Sequence, residues 1–231
     1  MVNVMQIRLK MYLLKDIPAS KIQAALAAFI DKELVQNEEL AKLHNVNQYK
    51  NYCYDSLYPI EPDKIYHKNT IYTLTIRTID RNLAYFFEKQ VVNGHSETMK
   101  ALTAEVRLIP QKHIEMMWPL TPVILKCGNG YWRDSLSMEQ FEERLKVNLL
   151  KKWKQFYGEK LEEDFEFFTG IEFLNKSPVS IEYKGIKLLG DKPRLHIAEN
   201  GTAQKLAQMA VGGGLGEMNA RGYGFCCFRW L

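Results

Sequence analysis

The sequence contains five histidines, the side chains best able to carry protons near neutral pH because their ordinary pKa lies there. They are His44, His67, His95, His113 and His196. His44 stands where a helical pattern ends, shortly before Lys50, so a proton carrier and a cation are close in the chain. A polar histidine at a helix end is usually just solvated, so this spacing alone does not identify a catalytic site.

The four cysteines do not predict a metal site. Cys53, Cys127, Cys226 and Cys227 form no CxxC pair and no Cys/His cluster, which are the patterns typical of structural zinc. Adjacent Cys226 and Cys227 would point to opposite faces of a strand, which favours packing. We therefore expect no metal and no cofactor, and a reducing compartment, the cytoplasm.

Overall composition is that of a folded protein. The chain has 231 residues, 46% hydrophobic and 25% charged, enough for one large domain or two small ones. The net charge of +4 permits an anionic partner without requiring one. No stretch approaches the roughly 18 apolar residues of a membrane span, and the N-terminus does not resemble a signal peptide. We expect no membrane association.

The first half of the chain has a β-α-β-β-α-β pattern. Alternation from Met5 to Leu13 predicts a strand, and an apolar stripe that includes Ile22 and Phe29 predicts a helix after it. Asn37 is a good N-cap for a second helix. The other predicted elements are strands at 50–58 and 70–79, a helix at 82–92 and a strand at 102–109. This order is the ferredoxin-like arrangement, which RNA-binding modules of the RRM type share.

After a proline-rich boundary at 118–122, the pattern restarts. A long helix is predicted from Met138 to Tyr157, with Phe141, Leu145, Leu149 and Trp153 on one stripe. The other predicted elements are strands at 123–127, 166–174, 178–184, 186–198 and 221–230, a turn at 128–130 and a short helix at 202–211. The sequence therefore predicts an α+β fold of two tandem ferredoxin-like domains, residues 1–117 and 118–231.

The glycine-rich segment, residues 212–224, fits none of three common templates. A phosphate-binding P-loop requires a lysine followed by serine or threonine, which is missing here. In a dinucleotide fold the glycines precede a helix, whereas here a predicted helix precedes the glycines. A flexible linker would have little to connect so near the C-terminus. A simple packing role between the last strand and its helix remains open for each glycine.

The same segment resembles a signature of a known family. Gly214-Leu215-Gly216, five further residues, and Gly222-Tyr223-Gly224 are similar to the paired glycine motif of CRISPR repeat-processing endoribonucleases, within the RAMP superfamily. Layout and length agree along the whole chain, and detailed agreement covers the N-terminal third and the last twenty residues. The resemblance implies two ferredoxin-like domains, a glycine-rich loop at the cleft between them, and repeat RNA cut there without a metal. Exposed amides at Gly214, Gly216, Gly222 and Gly224, together with Arg221, would contact phosphate.

The resemblance also implies catalytic residues. Members of the family commonly place a histidine after the first helical region and a lysine before an aromatic-rich strand, which matches His44 and Lys50. His44 would be the general acid or base, and Lys50 would stabilise the phosphate in the transition state. Several relatives add a tyrosine from the first helix, where this sequence has Phe29. The third group is then missing, or it is recruited from Tyr49 or Tyr52.

Further basic residues cluster in the second half. We predict that three of them contact the RNA backbone: Lys187, Lys192 and Arg194. A solvent-exposed hairpin would explain these charges equally well. His196 is close to them in the sequence. The main alternative to an enzyme is a RAMP protein that holds guide RNA without cutting it. The sequence leaves open the repeat sequence and any hairpin requirement. It also leaves open the CRISPR subtype, homodimer formation, product retention and association with other effector subunits.

Overall fold

The first half of the chain alternates strands and helices in the predicted order. The computed structural model describes residues 2–46, 48–128, 130–183 and 185–231, except for the side chains of residues 43–45. The elements of this half are β1 (Met5–Leu13), β2 (Ile17–Pro18), α1 (Ile22–Val35), α2 (Glu38–Asn45), β3 (Tyr52–Tyr58), β4 (Ile65–Tyr66), β5 (Ile71–Thr78), α3 (Arg81–Tyr85) and β6 (Met99–Leu108). Helical turns at 86–93 extend α3.

A four-stranded antiparallel sheet in the order β3-β5-β1-β6 forms the first layer. Strand β1 lies in its centre, with Leu9 opposite Leu74 on one side and Ala104 on the other. Every second residue of β1 from Met5 to Leu13 is buried, which confirms the predicted strand. Helix α1 contributes Phe29, only 1% exposed, to the same core, so the prediction that Phe29 is a core residue is confirmed.

The second half repeats the layer arrangement with one addition. Its elements are β7 (Ile114–Pro119), α4 (Met138–Tyr157), β8 (Phe168–Phe173), β9 (Val179–Tyr183), β10 (Ile186–Gly190), β11 (Pro193–Ile197), α5 (Gly201–Gly213) and β12 (Cys226–Trp230). The sheet order β12-β7-β11-β8 is equivalent to that of the first sheet, and β9 pairs with β10 as a separate hairpin. In the described residues, no helix is long and apolar enough to cross a membrane.

The two halves share packing across their junction. Val2 and Val4, from the very start of the chain, are buried in the core of the second half. Arg77 of β5 donates to the carbonyl oxygen of Cys226 in β12, and its guanidinium lies 4.3 Å from the ring centre of Phe225. The predicted division at residue 118 falls within β7, whose strand partners all lie in the second sheet. The bounds of the two domains stay a prediction.

Three predicted strands differ in the structure. Residues 123–127 make only isolated bridges, because Val123 pairs with Asp191 and Ile124 with Glu217, which belong to different parts of the chain. The predicted strand at 186–198 is two strands, β10 and β11. They separate because the Asp191 side chain turns into the interior and is 1% exposed. These two corrections concern residues whose partners are distant in sequence. The third predicted strand, at 221–230, begins only at Cys226, since residues 219–221 form a helical turn and Gly222 and Gly224 have positive φ angles.

Candidate functional site

In the glycine-rich segment, the space around Gly222 and Gly224 is too small for any side chain. Gly222 and Gly224 have φ angles of +84° and +69°, a region that glycine enters without steric cost. A Cβ atom on Gly224 would lie 1.9 Å from the carbonyl oxygen of Leu215, and one on Gly222 would lie 2.2 Å from Oε1 of Gln23 in α1. The segment therefore fills the space between α5, β12 and the first half of the chain.

Three of the loop amides expected to be exposed are not. The amides of Gly214, Gly222 and Gly224 donate to the carbonyl oxygens of Ala210, Asn219 and Pro122, at 2.8 to 3.0 Å. All four glycines of the motif are buried. The expectation of exposed amides is wrong for these three residues, because the Gly214 amide completes the last turn of α5, the Gly222 amide closes the helical turn at 219–221, and the Gly224 amide bonds to a distant carbonyl. Phosphate contact by the fourth amide, that of Gly216, stays a prediction.

A cavity of about 630 Å³ lies between the two halves of the chain. Its walls come from α1, the loop before β3, α4, β9, α5 and the glycine-rich segment. The lining side chains with charge or an aromatic ring are Asp31, Tyr49, Lys50, Tyr52, Lys126, Lys152, Tyr183, Glu217 and Arg221. Lys50 and Arg221, the two residues that the family resemblance implies for phosphate contact, are thus brought to one cavity from positions 171 residues apart in the chain.

The loop that carries Lys50 is held from both sides. Nζ of Lys50 donates to the carbonyl oxygen of Val46 at 2.7 Å, which closes the turn after α2. The side chain of Gln155, in α4, bonds to both backbone groups of Tyr49. The Tyr49 amide donates to Oε1 of Gln155 at 2.8 Å, and Nε2 of Gln155 donates to the Tyr49 carbonyl oxygen at 2.8 Å. The second half of the chain therefore positions the loop that precedes β3.

Cations dominate this part of the cavity. Burial and the nearby charge of Arg221 lower the pKa of Lys50, and Asp31 acts in the opposite direction. Arg221 lies in a helical turn at 219–221 and forms an ion pair with Asp31 of α1, in which both side chains are largely shielded. A phosphodiester entering the cavity would meet Lys50 and Arg221 together with Asp31, a cluster with one more positive than negative charge, and such a setting can stabilise extra phosphate charge.

Lys152 is a cavity residue that the sequence analysis did not single out. It is 3% exposed, and its Nζ donates to the carbonyl oxygens of Gly214 and Gly216 and to Oδ1 of Asn219. A signal was present, because Lys152 follows Leu149 by three residues and Leu145 by seven and so falls on the apolar stripe of α4. A lysine on such a stripe needs internal partners.

His44 lies in the last turn of α2, but its side chain is outside the described residues, so its catalytic role stays a prediction. The other predicted basic contacts lie away from the cavity lining. Lys187 is exposed on β10, and Arg194 of β11 lies 3.3 Å from Glu172, which also faces His196. In the described part of the chain, no group of three or more His, Cys, Asp or Glu side chains is arranged to hold a metal ion.

A family profile matches most of the second half and part of the first. The profile described as CRISPR associated protein Cas6, C-terminal, matches residues 105–227, which is more than half of the chain. The protein therefore belongs to the Cas6 family of CRISPR-associated proteins. A comparison with curated proteins found no match.

Solved structures share the fold along nearly the whole chain. A structure described as CRISPR associated protein Cas6 is 22% identical, with a TM-score of 0.72, covering 98% of this chain and 99% of its own. One described as a RAMP protein binding different RNA substrates is 19% identical, with a TM-score of 0.72, covering 97% and 99%. A Cas6 product complex is 16% identical, with a TM-score of 0.62, covering 98% and 100%. The chain is accordingly an α+β protein with two antiparallel sheets arranged as in Cas6 structures.

Proposed function

We propose that this protein is a metal-independent endoribonuclease that binds CRISPR repeat RNA and cleaves pre-crRNA within the repeat. The observation that carries the proposal is the meeting of Lys50 and Arg221 in one cavity between the two halves of a Cas6-family chain. We further propose that the halves are tandem ferredoxin-like domains and that RNA crosses the cleft between them. Arg221 contacts phosphate there, while Lys187, Lys192 and Arg194 bind more distant parts of the backbone.

The proposed chemistry is attack by a ribose 2′-OH on the adjacent phosphorus. The 2′-oxygen loses its proton as it bonds to phosphorus, the bond from phosphorus to the 5′-oxygen breaks, and that oxygen takes up a proton. The products carry a 2′,3′-cyclic phosphate and a 5′-hydroxyl. His44 supplies one of the proton transfers, and Lys50 stabilises the charge that accumulates on the phosphoryl oxygens.

In this proposal, a tyrosine from the cavity wall supplies the other proton transfer. Tyr49 and Tyr52 both line the cavity, whereas Phe29 is buried in the first core and has no hydroxyl. Burial raises the pKa of Tyr52 first of all, with the charge of Asp31 acting in the same direction. A phenol is protonated at neutral pH even at its ordinary pKa near 10, and burial keeps it protonated, so donation to the leaving oxygen is the proton transfer open to it.

A second candidate function is a guide-RNA scaffold that binds without cutting. The observation that favours it is Phe29, since a hydroxyl is missing from the first helix at the position where several relatives supply a tyrosine. Such a protein would keep the basic cavity and lose only the chemistry. In that case, we expect the protein to bind guide RNA and to associate with other CRISPR effector subunits.

The proposal is tested with end-labelled repeat RNA and a scrambled RNA of equal length, both in excess EDTA. We expect one cut within the repeat RNA, none in the scrambled RNA, and a 5′-hydroxyl that polynucleotide kinase labels without prior phosphatase treatment. Tight binding of repeat RNA without a cut would favour the scaffold instead. Equal, weak binding of the two RNAs would contradict both functions.

A further inference from the structure

Lys152 places a buried ammonium group against the glycine-rich segment. Its Nζ lies 2.7 Å from the oxygen of Gly214, 2.9 Å from that of Gly216 and 2.7 Å from Oδ1 of Asn219. An ammonium has three N–H donors, so these three acceptors use its full capacity. A side chain with all its donors engaged in the protein holds structure in place rather than contacting a ligand directly.

Asn219 extends this connection to the second glycine pair. Its Nδ2 donates to the carbonyl oxygens of Leu215, at 3.1 Å, and Tyr223, at 2.9 Å. Lys152 and Asn219 together therefore tie the residues at 214–216 to those at 222–224. Arg221 lies between these two tied points, two residues after Asn219, and forms its ion pair with Asp31 at the cavity wall.

Burying the charged ammonium of Lys152 opposes folding unless its hydrogen bonds offset the lost hydration. Moving an ammonium out of water carries a desolvation penalty, and this burial lowers the pKa of Lys152. Leucine or methionine would complete the apolar stripe of α4 without that penalty. What the lysine provides, and an apolar residue cannot, is the set of three hydrogen bonds that fixes the shape of the segment bearing Arg221.

We propose that Lys152 is a positioning residue, which acts through Asn219 and the glycine carbonyls to hold Arg221 in place at the RNA-binding cavity. The part of this inference that concerns RNA rests on the proposed function. The part that concerns the shape of the segment can be tested in the free protein, so the two can fail separately.

Hydrogen exchange in the free protein is the first test. In Lys152→Met, we expect the amides of Leu215, Gly222 and Gly224 to exchange at least about 10-fold faster, because their carbonyl partners lie in the segment or beside it. Amides of α4 and β7 should keep their protection. Lys151→Met, an exposed neighbour on the same helix, is the matched control and should change none of them. Unchanged protection in Lys152→Met would overturn the inference, whether or not RNA binds.

A double-mutant cycle on repeat-RNA binding, at fixed salt, is the second test. Arg221→Ala and Lys152→Met should each raise the Kd by about 10- to 100-fold, the range expected for a hydrogen bond to a charged group. The double variant should be no weaker than Arg221→Ala alone, because Lys152 acts through Arg221. Multiplicative losses would overturn the inference, since a general loss of stability would add to the loss of Arg221.

Two further outcomes are decided by the same experiments. If Lys152→Met does not fold, Asn219→Ala is used instead, because it removes one of the three acceptors of the Lys152 ammonium. We expect this variant to show the same faster amide exchange, and its combination with Arg221→Ala to bind RNA no more weakly than Arg221→Ala alone. If the wild type binds no repeat RNA, the proposed function fails, and the exchange result alone then supports or overturns the positioning role.

Discussion

Replacing His44 with alanine is expected to slow cleavage of repeat RNA by about 10²- to 10⁴-fold, the usual contribution of a positioned acid or base. The backbone of His44 lies in the last turn of α2, one turn from the cavity loop whose Lys50 bonds back to Val46. Because the imidazole is assigned to proton transfer and not to holding RNA, we expect the Kd for repeat RNA to change less than about 3-fold. Single-turnover cleavage and filter binding measure the two effects separately.

His67→Ala is the matched control for this prediction. His67 is half exposed and lies 3.0 Å from Asp63, in a part of the first half that does not line the cavity. Its replacement should leave both the rate and the affinity unchanged. A His44→Ala protein that cuts at the wild-type rate would remove His44 from the mechanism. A loss of affinity as large as the loss of rate would reassign it to RNA binding.

Replacing Asp191 with alanine is expected to lower the free energy of unfolding by about 3 to 5 kcal/mol. The carboxylate is buried and accepts from the Tyr131 hydroxyl at 2.5 Å, from Nε1 of Trp132 at 2.6 Å and from Nδ2 of Asn175 at 2.6 Å. Removing it leaves the donors of Tyr131 and Trp132 buried without an acceptor. Urea unfolding of the variant and the wild type measures the difference.

Loss of the Asp191 carboxylate would also affect the functional site, because Trp132, one of its donors, packs against α4. Trp132 stacks on Phe141 with ring centres 4.0 Å apart, and Phe141 is in the first turn of the helix that carries Lys152 and Gln155. Asp134→Ala, an exposed carboxylate in the same short helical turn as Trp132, should change the stability by less than about 0.5 kcal/mol. Equal losses for the two variants would show that the buried acceptor role of Asp191 is wrong.

Elements with strong local periodicity could be predicted from the sequence. Strand β1 and helix α4 were predicted with the bounds that the structure has, because each has a complete apolar face and recognisable ends. Residues 123–125 have apolar side chains but no continuous strand partner, since the hydrogen bonds of this segment go to Asp191 and to the glycine-rich segment. Local propensity carries no information on where such distant partners will lie.

The functional site could be predicted only in part for the same reason. Resemblance to a family pointed to Lys50 and Arg221, and the structure places both at one cavity. It could not show that the amides of Gly214, Gly222 and Gly224 bond within the protein, because that depends on where α5 and the helical turn at 219–221 end and on the distant Pro122 carbonyl. Asp31 and Lys152 were missed since their partners are more than 60 residues away in sequence.

In the proposed reaction, a 2′-hydroxyl of the repeat RNA is the nucleophile in this cavity. The most direct measurement compares wild-type cleavage of repeat RNA with cleavage of the same RNA carrying one 2′-deoxy nucleotide immediately 5′ of the cut, both in excess EDTA. We predict equal binding of the two RNAs and cleavage of the all-ribose RNA alone. Cleavage of both RNAs at the same position and rate would contradict the account, because water or another group would then be the nucleophile.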